Sequence, residues 1–382
     1  MKFGTKCIHA GVEPDPSTGA IMTPIYQTST YVQSSPGVHK GFEYSRTQNP
    51  TRFVLEKNIA ALENAKSGLA FSSGLAATDA VLKLLNPGDE VISSNDLYGG
   101  TYRIFTKVYA RYGLKFHFTG MQNPDQIESL VNENTKMIWV ETPTNPLLNI
   151  IDLKMVADIA RKNNLILVVD NTFATPYLQT PLDLGAAISL HSATKYLGGH
   201  SDVIMGALAV NDTELAEKLA FIQNSCGAVP APQDCFLVLR GIKTLQLRLD
   251  RHCKNGEIVA NFLNEHTLVE KVFWPGLTDH PNHDIATKQM SNYGGMVSFY
   301  LQDEMGTTAV KRFLESLRLF ALAESLGGVE SLAGHPASMT HAAIPKEERL
   351  KAGLKDSLIR LSVGIEDSED LIKDLDQALS SI

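Results

Sequence analysis

Short apolar runs at Glu90 to Ile92, Met137 to Val140, Leu165 to Val169 and Ile188 to Leu190 are separated by longer stretches of helical periodicity such as Leu153 to Lys162. Strands that alternate with helices in this way pair in parallel, because each helix supplies the crossover, and the sheet is covered on both faces. The alternation therefore predicts an α/β domain built on a mostly parallel sheet. It also predicts where chemistry sits. Ligands of such sheets lie beyond the carboxyl ends of the strands, where Glu141, Asp170 and Ser192 to Lys195 emerge.

The flanking segments read differently. Residues 1 to about 50 are rich in Pro, Gly, Ser and Thr with little helical periodicity, which predicts an extended arm suited to embracing a partner subunit. From Asn49-Pro50-Thr51 onward Val54, Leu55, Ile59 and Leu62 recur at helical spacing, and a second helix opens near Gly74 and runs through Leu85. Phe236, Leu237, Leu239, Ile242, Leu245 and Leu249 predict one long helix from about Cys235 to Leu263 that leaves the sheet domain. The tail reads as α+β, with strands at Gly295 to Leu301 and Leu358 to Gly364 and helices at Thr308 to Ser316 and Asp370 to Leu379. The organisation expected is an arm (1–50), a large domain (51–246) and a smaller C-terminal domain (247–382). At 382 residues the chain exceeds the size at which one core usually keeps growing, which agrees with two domains.

A net charge of −8 with scattered basic residues argues against a nucleic-acid surface. No apolar run approaches membrane-spanning length and the N-terminus leads into no signal core, so a cytoplasmic protein acting on a small soluble molecule is expected. Cys7, Cys226, Cys235 and Cys253 form no zinc-ligand pattern, and none of the histidines shows metal-site spacing, so reduced thiols and no metal are expected.

Asp170 closes the run Leu165-Ile166-Leu167-Val168-Val169, where a buried carboxylate is costly unless it meets a cation. A protonated pyridine nitrogen is such a cation; a strand-end Asp capping the next turn is the plainer reading. Lys195 follows Ser192 and Thr194, the arrangement a Schiff-base lysine needs if hydroxyls beside it are to hold a phosphate. Ser72-Ser73-Gly74-Leu75 precedes a helix, whose free amides, those of Gly74 and Leu75, favour an anion, although Ser-Gly there also serves simply as a cap. Tyr98-Gly99-Gly100 allows an aromatic ring to lie against a flat ligand or just to mark a tight turn. Tyr44 and Arg46 in the arm offer a hydroxyl and a guanidinium to a phosphate. In Leu358 to Gly364 strict alternation puts Arg360, Ser362 and Gly364 on one face, from which Arg360 reaches into a pocket to clamp a carboxylate or else faces solvent.

Taken together these motifs resemble the cysteine and methionine metabolism family of pyridoxal phosphate enzymes, of fold type I. The stretches that carry the resemblance are YSRTQNPT (Tyr44 to Thr51), SSGLAA, YGGTYR (Tyr98 to Arg103), ETPTNP (Glu141 to Pro146), VVDNTFATP, SATKYLGGHSD, AESLGGVESL (Ala323 to Leu332) and RLSVGIED, in the family's order along nearly the whole chain. The resemblance implies pyridoxal 5'-phosphate as cofactor, with Lys195 joined to it and shuttling protons, Asp170 on its pyridine nitrogen and Tyr98 stacked on its ring as the catalytic set. It implies Asn145 at the phenolic oxygen and Gly74, Leu75, Ser192 and Thr194 at the phosphate, with Tyr44 and Arg46 reaching in from a neighbouring subunit of a homotetramer. Arg360, Ser325, Glu43, Glu324 and Arg103 are implied as substrate-binding. Within the family the cystathionine γ-lyases look most similar, on the strength of Gln223 to Leu245; γ-lyases and γ-synthases both tend to place acidic residues where Glu43 and Glu324 stand, which methionine γ-lyases do not. The γ-synthases remain close, methionine γ-lyases resemble the chain less, and β-lyases usually lack the Glu-Ser-Leu-Gly-Gly pattern. A non-catalytic nucleotide-binding or scaffold protein is the rival of another class; against it, the chain has no GxGxxG after a strand.

Overall fold

In the computed structural model, which describes residues 1–302, 305–342, 346–351 and 353–382, the chain forms two sheets. The first contains β1 (Ser67–Phe71), β2 (Glu90–Ser94), β3 (Lys115–Thr119), β4 (Thr135–Glu141), β5 (Ile166–Asp170), β6 (Ile188–Ser192) and β7 (Gly206–Val210), in the spatial order β1-β7-β6-β5-β4-β2-β3. All pairings among β2 to β6 are parallel, whereas β7 runs antiparallel to both β1 and β6. The second sheet holds β8 (Val269–Phe273), β9 (Met296–Leu301), β10 (Ala321–Leu322), β11 (Leu332–Gly334) and β12 (Leu358–Ser362), ordered β10-β11-β12-β9-β8. This is a mostly parallel large sheet with a smaller α+β unit after it, the arrangement of fold type I.

The helices are α1 (Phe3–His9), α2 (Pro50–Leu62), α3 (Gly74–Leu82), α4 (Gly99–Arg103), α5 (Pro124–Glu128), α6 (Leu153–Lys162), α7 (Thr175–Leu178), α8 (Thr213–Cys226), α9 (Pro232–Ile242) and α10 (Leu245–Glu265), then α11 (His283–Gln289), α12 (Gly306–Ser316), α13 (Lys346–Lys351) and α14 (Ser368–Leu379). Those with clear signals start where their caps stand: Asn49 accepts from the amides of Thr51 and Arg52, Ser73 from Ala76, and Asp152 from Met155. The α6 stripe Leu153, Val156, Ala157 and Ala160 buries itself against the sheet, as 3.6-residue periodicity requires.

Three local expectations are corrected. The single helix expected over Cys235 to Leu263 is two, α9 and α10, because the Gly241 carbonyl is taken by the Thr244 amide, the Thr244 hydroxyl and the Arg248 guanidinium instead of continuing the helical ladder. The arm is not wholly extended. α1 forms at its start through tertiary contacts: Phe3 packs on Tyr177, and Asn58 Nδ2 donates to the carbonyls of Lys6 and Ala10. The helix expected to reach Leu85 ends at Leu82, after which tighter turns lead into Asn86-Pro87.

One buried cation ties the arm to the large domain. Arg52, 1% exposed on α2, donates to the carbonyls of Ser45, Arg46 and Thr47 and lies 3.4 Å from Glu56. Burial pushes the Glu56 carboxyl up, against the pull of Arg52 and of hydrogen bonds from the Ala70 amide and Gln223. Arg52→Ala is expected to cost about 3–5 kcal/mol of stability, since it leaves Glu56 buried without its cation. Adding Glu56→Gln should recover part of that loss, and denaturant titration of the single and double variants checks both numbers.

Candidate active site

A cavity of about 310 Å³ opens at the carboxyl end of the large sheet. Its wall includes Glu141, Asp170 and Ser192 from the ends of β4, β5 and β6, Gly74 and Leu75 from the start of α3, and Glu324, Ser325 and Arg360 from the C-terminal unit. The parallel strands place their last residues side by side: Glu141 pairs with Asp170 in the sheet register, and Asp170 with Leu190.

Asp170 is held by a relay of hydrogen bonds. Its Oδ1 accepts from the Thr172 amide at 3.1 Å and the Thr172 hydroxyl at 2.5 Å, while that same hydroxyl oxygen accepts from the Ser192 amide at 2.9 Å. Oδ2 accepts no hydrogen bond from a described residue. Burial raises the Asp170 carboxyl, opposed by the two Thr172 bonds and by the nearby His191. Glu141 is raised well above the usual range, first by burial and then by the charge of Asp170; its Oε2 accepts from the Tyr98 amide at 2.8 Å. Two adjacent buried carboxyl groups lining the cavity create a demand there for a cation.

The same cavity is lined by two cations, Lys195 and Arg360. Lys195 Nζ donates to Ser325 Oγ at 2.8 Å, and burial, reinforced by Arg360 and opposed by Glu324, brings its ammonium down to about 8. Ser325 takes φ +98°, a region that strains a residue bearing a side chain and that recurs at functional sites. Arg360 is 5% exposed; Nη1 donates to Asn145 Oδ1 and Nη2 to the Ser325 carbonyl, both at 2.9 Å. The solvent-facing alternative for Arg360 is thereby removed, since its neighbours Ile359, Leu361 and Val363 face the C-terminal core. Burial pushes Arg360 down to about 10, still charged at neutral pH.

At the start of α3 the amides of Gly74 and Leu75 have no intrahelical acceptor. A Cβ on Gly74 would stand 3.0 Å from the Ser192 Cβ, so glycine lets this helix end meet the Ser192 hydroxyl. Thr194 also lines the cavity, although its hydroxyl oxygen already takes the Met205 amide at 3.0 Å. Tyr98, 41% exposed, stands at the rim, and a Cβ on Gly100 would lie 2.3 Å from its ring.

These groups fit pyridoxal phosphate. Free helix amides and the Ser192 hydroxyl suit a phosphate, the unpaired oxygen of Asp170 suits a protonated pyridine nitrogen, and Lys195 is an amine made nucleophilic near neutral pH. Four expected residues lie elsewhere in this chain. Glu43 pairs with His39 at 3.2 Å, Tyr44 is exposed, Arg46 donates to the Asn224 carbonyl at 3.4 Å, and Arg103 projects outward from the end of α4. None of the four is on the cavity wall.

The wall also contains residues that the sequence did not single out, Thr172 and Thr340 among them. Asp96, fully surrounded, accepts from the Thr144 hydroxyl, the Leu147 amide and Asn149 Nδ2, and so staples the loop that carries Asn145; burial raises it to about 6. His341 Nε2 donates to the Asn145 carbonyl at 3.2 Å and fixes the same residue from the C-terminal side. An acidic residue two positions before Thr172 is a readable turn signal. Nothing in the order of residues links Asp96, Thr340 or His341 to a cavity formed from distant segments.

The family model of the Cys/Met metabolism PLP-dependent enzymes matches residues 4–380. The chain is 54% identical over 379 residues to a cystathionine gamma-lyase of Dictyostelium discoideum, covering 99% of this chain and 97% of that protein. It is 55% identical over 377 residues to a cystathionine beta-lyase of Coxiella burnetii, covering 98% and 97%. Among solved structures, a cystathionine gamma-lyase from Lactobacillus plantarum complexed with L-serine matches with TM-score 0.97 at 46% identity, covering 100% of this chain and 99% of that one.

The lowered basicity of Lys195 has a direct readout. In protein stripped of cofactor, acetylation of the Lys195 peptide should rise with pH through a midpoint at about 8, because only the neutral amine reacts and it predominates above that value. Quantitative mass spectrometry across pH 6 to 11 measures it; a midpoint coinciding with the surface lysines would show that burial and Arg360 do not act on this amine.

Proposed function

The chain belongs to the Cys/Met metabolism family of pyridoxal phosphate-dependent enzymes and is a carbon–sulfur lyase, and from that footing we propose that it cleaves cystathionine by γ-elimination. The products are cysteine, 2-oxobutanoate and ammonia, with one water consumed. The observation that supports cystathionine as the substrate is Glu324 on the cavity wall, close enough to Lys195 to favour its charged form, while cleavage at the γ-carbon rests on the similarity to γ-lyases. A carboxylate beside the reacting amine suits a substrate whose far end bears an ammonium group, as cystathionine does and methionine does not.

The cofactor, when bound, supplies the electron sink that stabilises negative charge at the substrate's α-carbon. The residues of the chain do the rest. Arg360 binds the substrate carboxylate, its fork held in plane by Asn145 and the Ser325 carbonyl. Lys195 would hold the cofactor through its amine and, when that amine is free, would take the α-proton from the substrate and relay it; its lowered basicity keeps a usable fraction of neutral amine near neutral pH. Having passed on the α-proton, Lys195 would accept a second proton from the β-carbon and deliver it to the departing sulfur, which leaves as the thiol of cysteine. Asp170 supplies the negative charge that favours a protonated pyridine nitrogen, with Glu141 held toward its neutral form beside it.

A second reading has a specific observation behind it: a relative named as a β-lyase is as similar to the chain as one named as a γ-lyase. β-Elimination of the same substrate gives homocysteine, pyruvate and ammonia. Chromatographic identification of the oxo acid released from cystathionine separates the two, and incubation with O-acylhomoserine and cysteine tests the γ-synthase alternative. The γ-lyase reading expects 2-oxobutanoate in excess; pyruvate as the main oxo acid would overturn it. Glu324→Val should lower kcat/KM for cystathionine by the equivalent of about 1.5–3 kcal/mol, and by less for methionine.

Tyr44 and Arg46 enter the proposal through a second copy of the chain, since both lie off their own cavity wall. Cytoplasmic homotetramers with shared sites complete the reading; no helix among the described residues is long and apolar enough to cross a membrane. Arg46→Ala and Lys195→Ala chains, each inactive alone, should regain activity when mixed, because a hybrid dimer assembles one intact site. Absence of recovery after verified subunit exchange would assign the arm to its own chain.

A further inference from the structure

α10 carries a buried polar stripe that the chemistry above does not use. Arg248, His252 and Asn255 recur at i, i+4 and i+7 on one face, with 4%, 0% and 0% exposure. Helix positions that face a core are ordinarily apolar, and here the apolar residues lie beside the stripe in two separate clusters. Leu245, Leu249 and Cys253 enter the core under the large sheet, whereas Val259, Ala260 and Leu263 enter that of the C-terminal unit. The helix is therefore shared by both halves of the molecule.

Arg248 donates to the carbonyls of the two residues that follow Lys195, whereas His252 and Asn255 donate to carbonyls of the segment that continues the Arg360 strand, at Val363, Gly364 and Glu366. Arg248 Nη1 donates to the Tyr196 carbonyl at 2.7 Å, and Nη2 to the carbonyls of Gly241 at 2.9 Å and Leu197 at 3.5 Å, gripping the turn that follows Lys195. No carboxylate pairs with Arg248 among the described residues; burial brings it down only to about 10, so it stays charged, with carbonyl dipoles and the Thr244 hydroxyl as its partners. A buried cation without an anion is expensive. A longer side chain in the turn would collide with it: a Cβ on Gly199 would stand 2.0 Å from Nη1.

At the other end His252 Nδ1 lies 2.7 Å from the Val363 carbonyl, which only accepts, so this nitrogen carries the proton. Asn255 Nδ2 donates to the carbonyls of Gly364 at 3.0 Å and Glu366 at 2.9 Å. These carbonyls follow directly on β12, the strand that carries Arg360. Along a rigid helix the span from Arg248 to Asn255 is about 10 Å.

We propose that Arg248, His252 and Asn255 are positioning residues that fix the separation between Lys195 and Arg360, so that α10 acts as a ruler between the proton-transferring amine and the carboxylate clamp. A substrate anchored at Arg360 then presents its α-carbon to Lys195 without either side having to adjust. The inference rests on the assignment of Lys195 and Arg360 given above.

The two ends of the ruler have different readouts in the holoenzyme. Arg248→Met loosens the lysine turn, which should shift the midpoint of the pH titration of the bound cofactor's visible absorbance and lower kcat on the order of 100-fold, the scale of an ångström-sized misplacement. Its affinity for glycine, an amino acid with only the carboxylate and amine, should change little. Asn255→Ala should do the reverse, weakening glycine binding and raising KM for cystathionine with the absorbance titration in place. If Arg248→Met does not fold, Arg248→Lys, which keeps the charge and loses the fork, is read in the same way. Variants that lose thermal stability yet keep the wild-type titration midpoint, glycine affinity and ratio of kcat to KM would overturn the proposal by showing a purely structural stripe. Lys195→Ala separates the two levels: a borohydride-reducible link to the cofactor persisting in that variant would overturn the site assignment itself.

Discussion

The hydroxyl of Thr172 joins the two strands on which the site depends. It donates to Asp170 at the end of β5 and accepts from the Ser192 amide at the end of β6. One oxygen thus sets the carboxylate that faces the cavity against the start of the segment bearing Ser192, Thr194 and Lys195. Its proton is committed to Asp170 Oδ1, and the other carboxylate oxygen, on a residue that lines the cavity, takes no hydrogen bond from a described residue. Were it paired within the protein, the cavity would contain no uncompensated negative charge to attract a pyridinium.

The balance of charge across the cavity follows from that arrangement. Asp170 and Glu141 sit at the strand ends, and Lys195 and Arg360 line the same cavity from the turn after β6 and from β12. Burial acts on all four in the direction that disfavours charge, lifting the carboxyls and lowering the amine and guanidinium. The site is in this sense under tension before any ligand enters, and a zwitterionic molecule with a phosphate and a ring nitrogen relieves it. Lys195 departs most usefully from its ordinary value, since a modest lowering brings it into the range where one residue both gives and takes protons.

Much of this was legible in the order of residues, and the part that was not has identifiable causes. β5 is an unbroken apolar run up to Asp170, β4 is apolar from Met137 to Val140, and β6 carries Ile188 and Leu190 in alternation with polar residues, so Glu141, Asp170 and Ser192 were placed at strand ends without knowledge of the sheet. β1 and β7 escaped notice because Ser67–Phe71 and Gly206–Val210 are built largely from Ser, Gly, Ala and Leu, with few β-branched residues. The division of α9 from α10 was hidden for a different reason: the apolar spacing continues across it, and only a three-way competition for one carbonyl breaks the helix. Asp96 and His341 act on Asn145 from far along the chain, and no local pattern announces such contacts. Glu43 and Arg103, named from the family resemblance, are left off the cavity wall by the folded chain, and Tyr44 and Arg46, expected to reach a neighbouring subunit, also lie off the wall of their own.

The reversal of β7 alters how firmly the lysine is held. A parallel neighbour to β6 would be reached through a crossover helix on the sheet face, whereas the antiparallel return keeps residues 193–205 as a closed excursion between Ser192 and Gly206, which are partners in the ladder. Gly206 is also crowded by the Ser73 carbonyl, where a Cβ would come within 2.1 Å, so the return strand abuts the start of α3 as well. Both ends of the excursion are thereby set by one register. A slip of two residues along either strand would move the amine by about 7 Å, more than the reach of any side-chain rearrangement that could compensate. The sheet works here as a gauge block. Its spacing is fixed by backbone hydrogen bonds rather than by the chemistry of the cavity, and it keeps the reacting nitrogen in place.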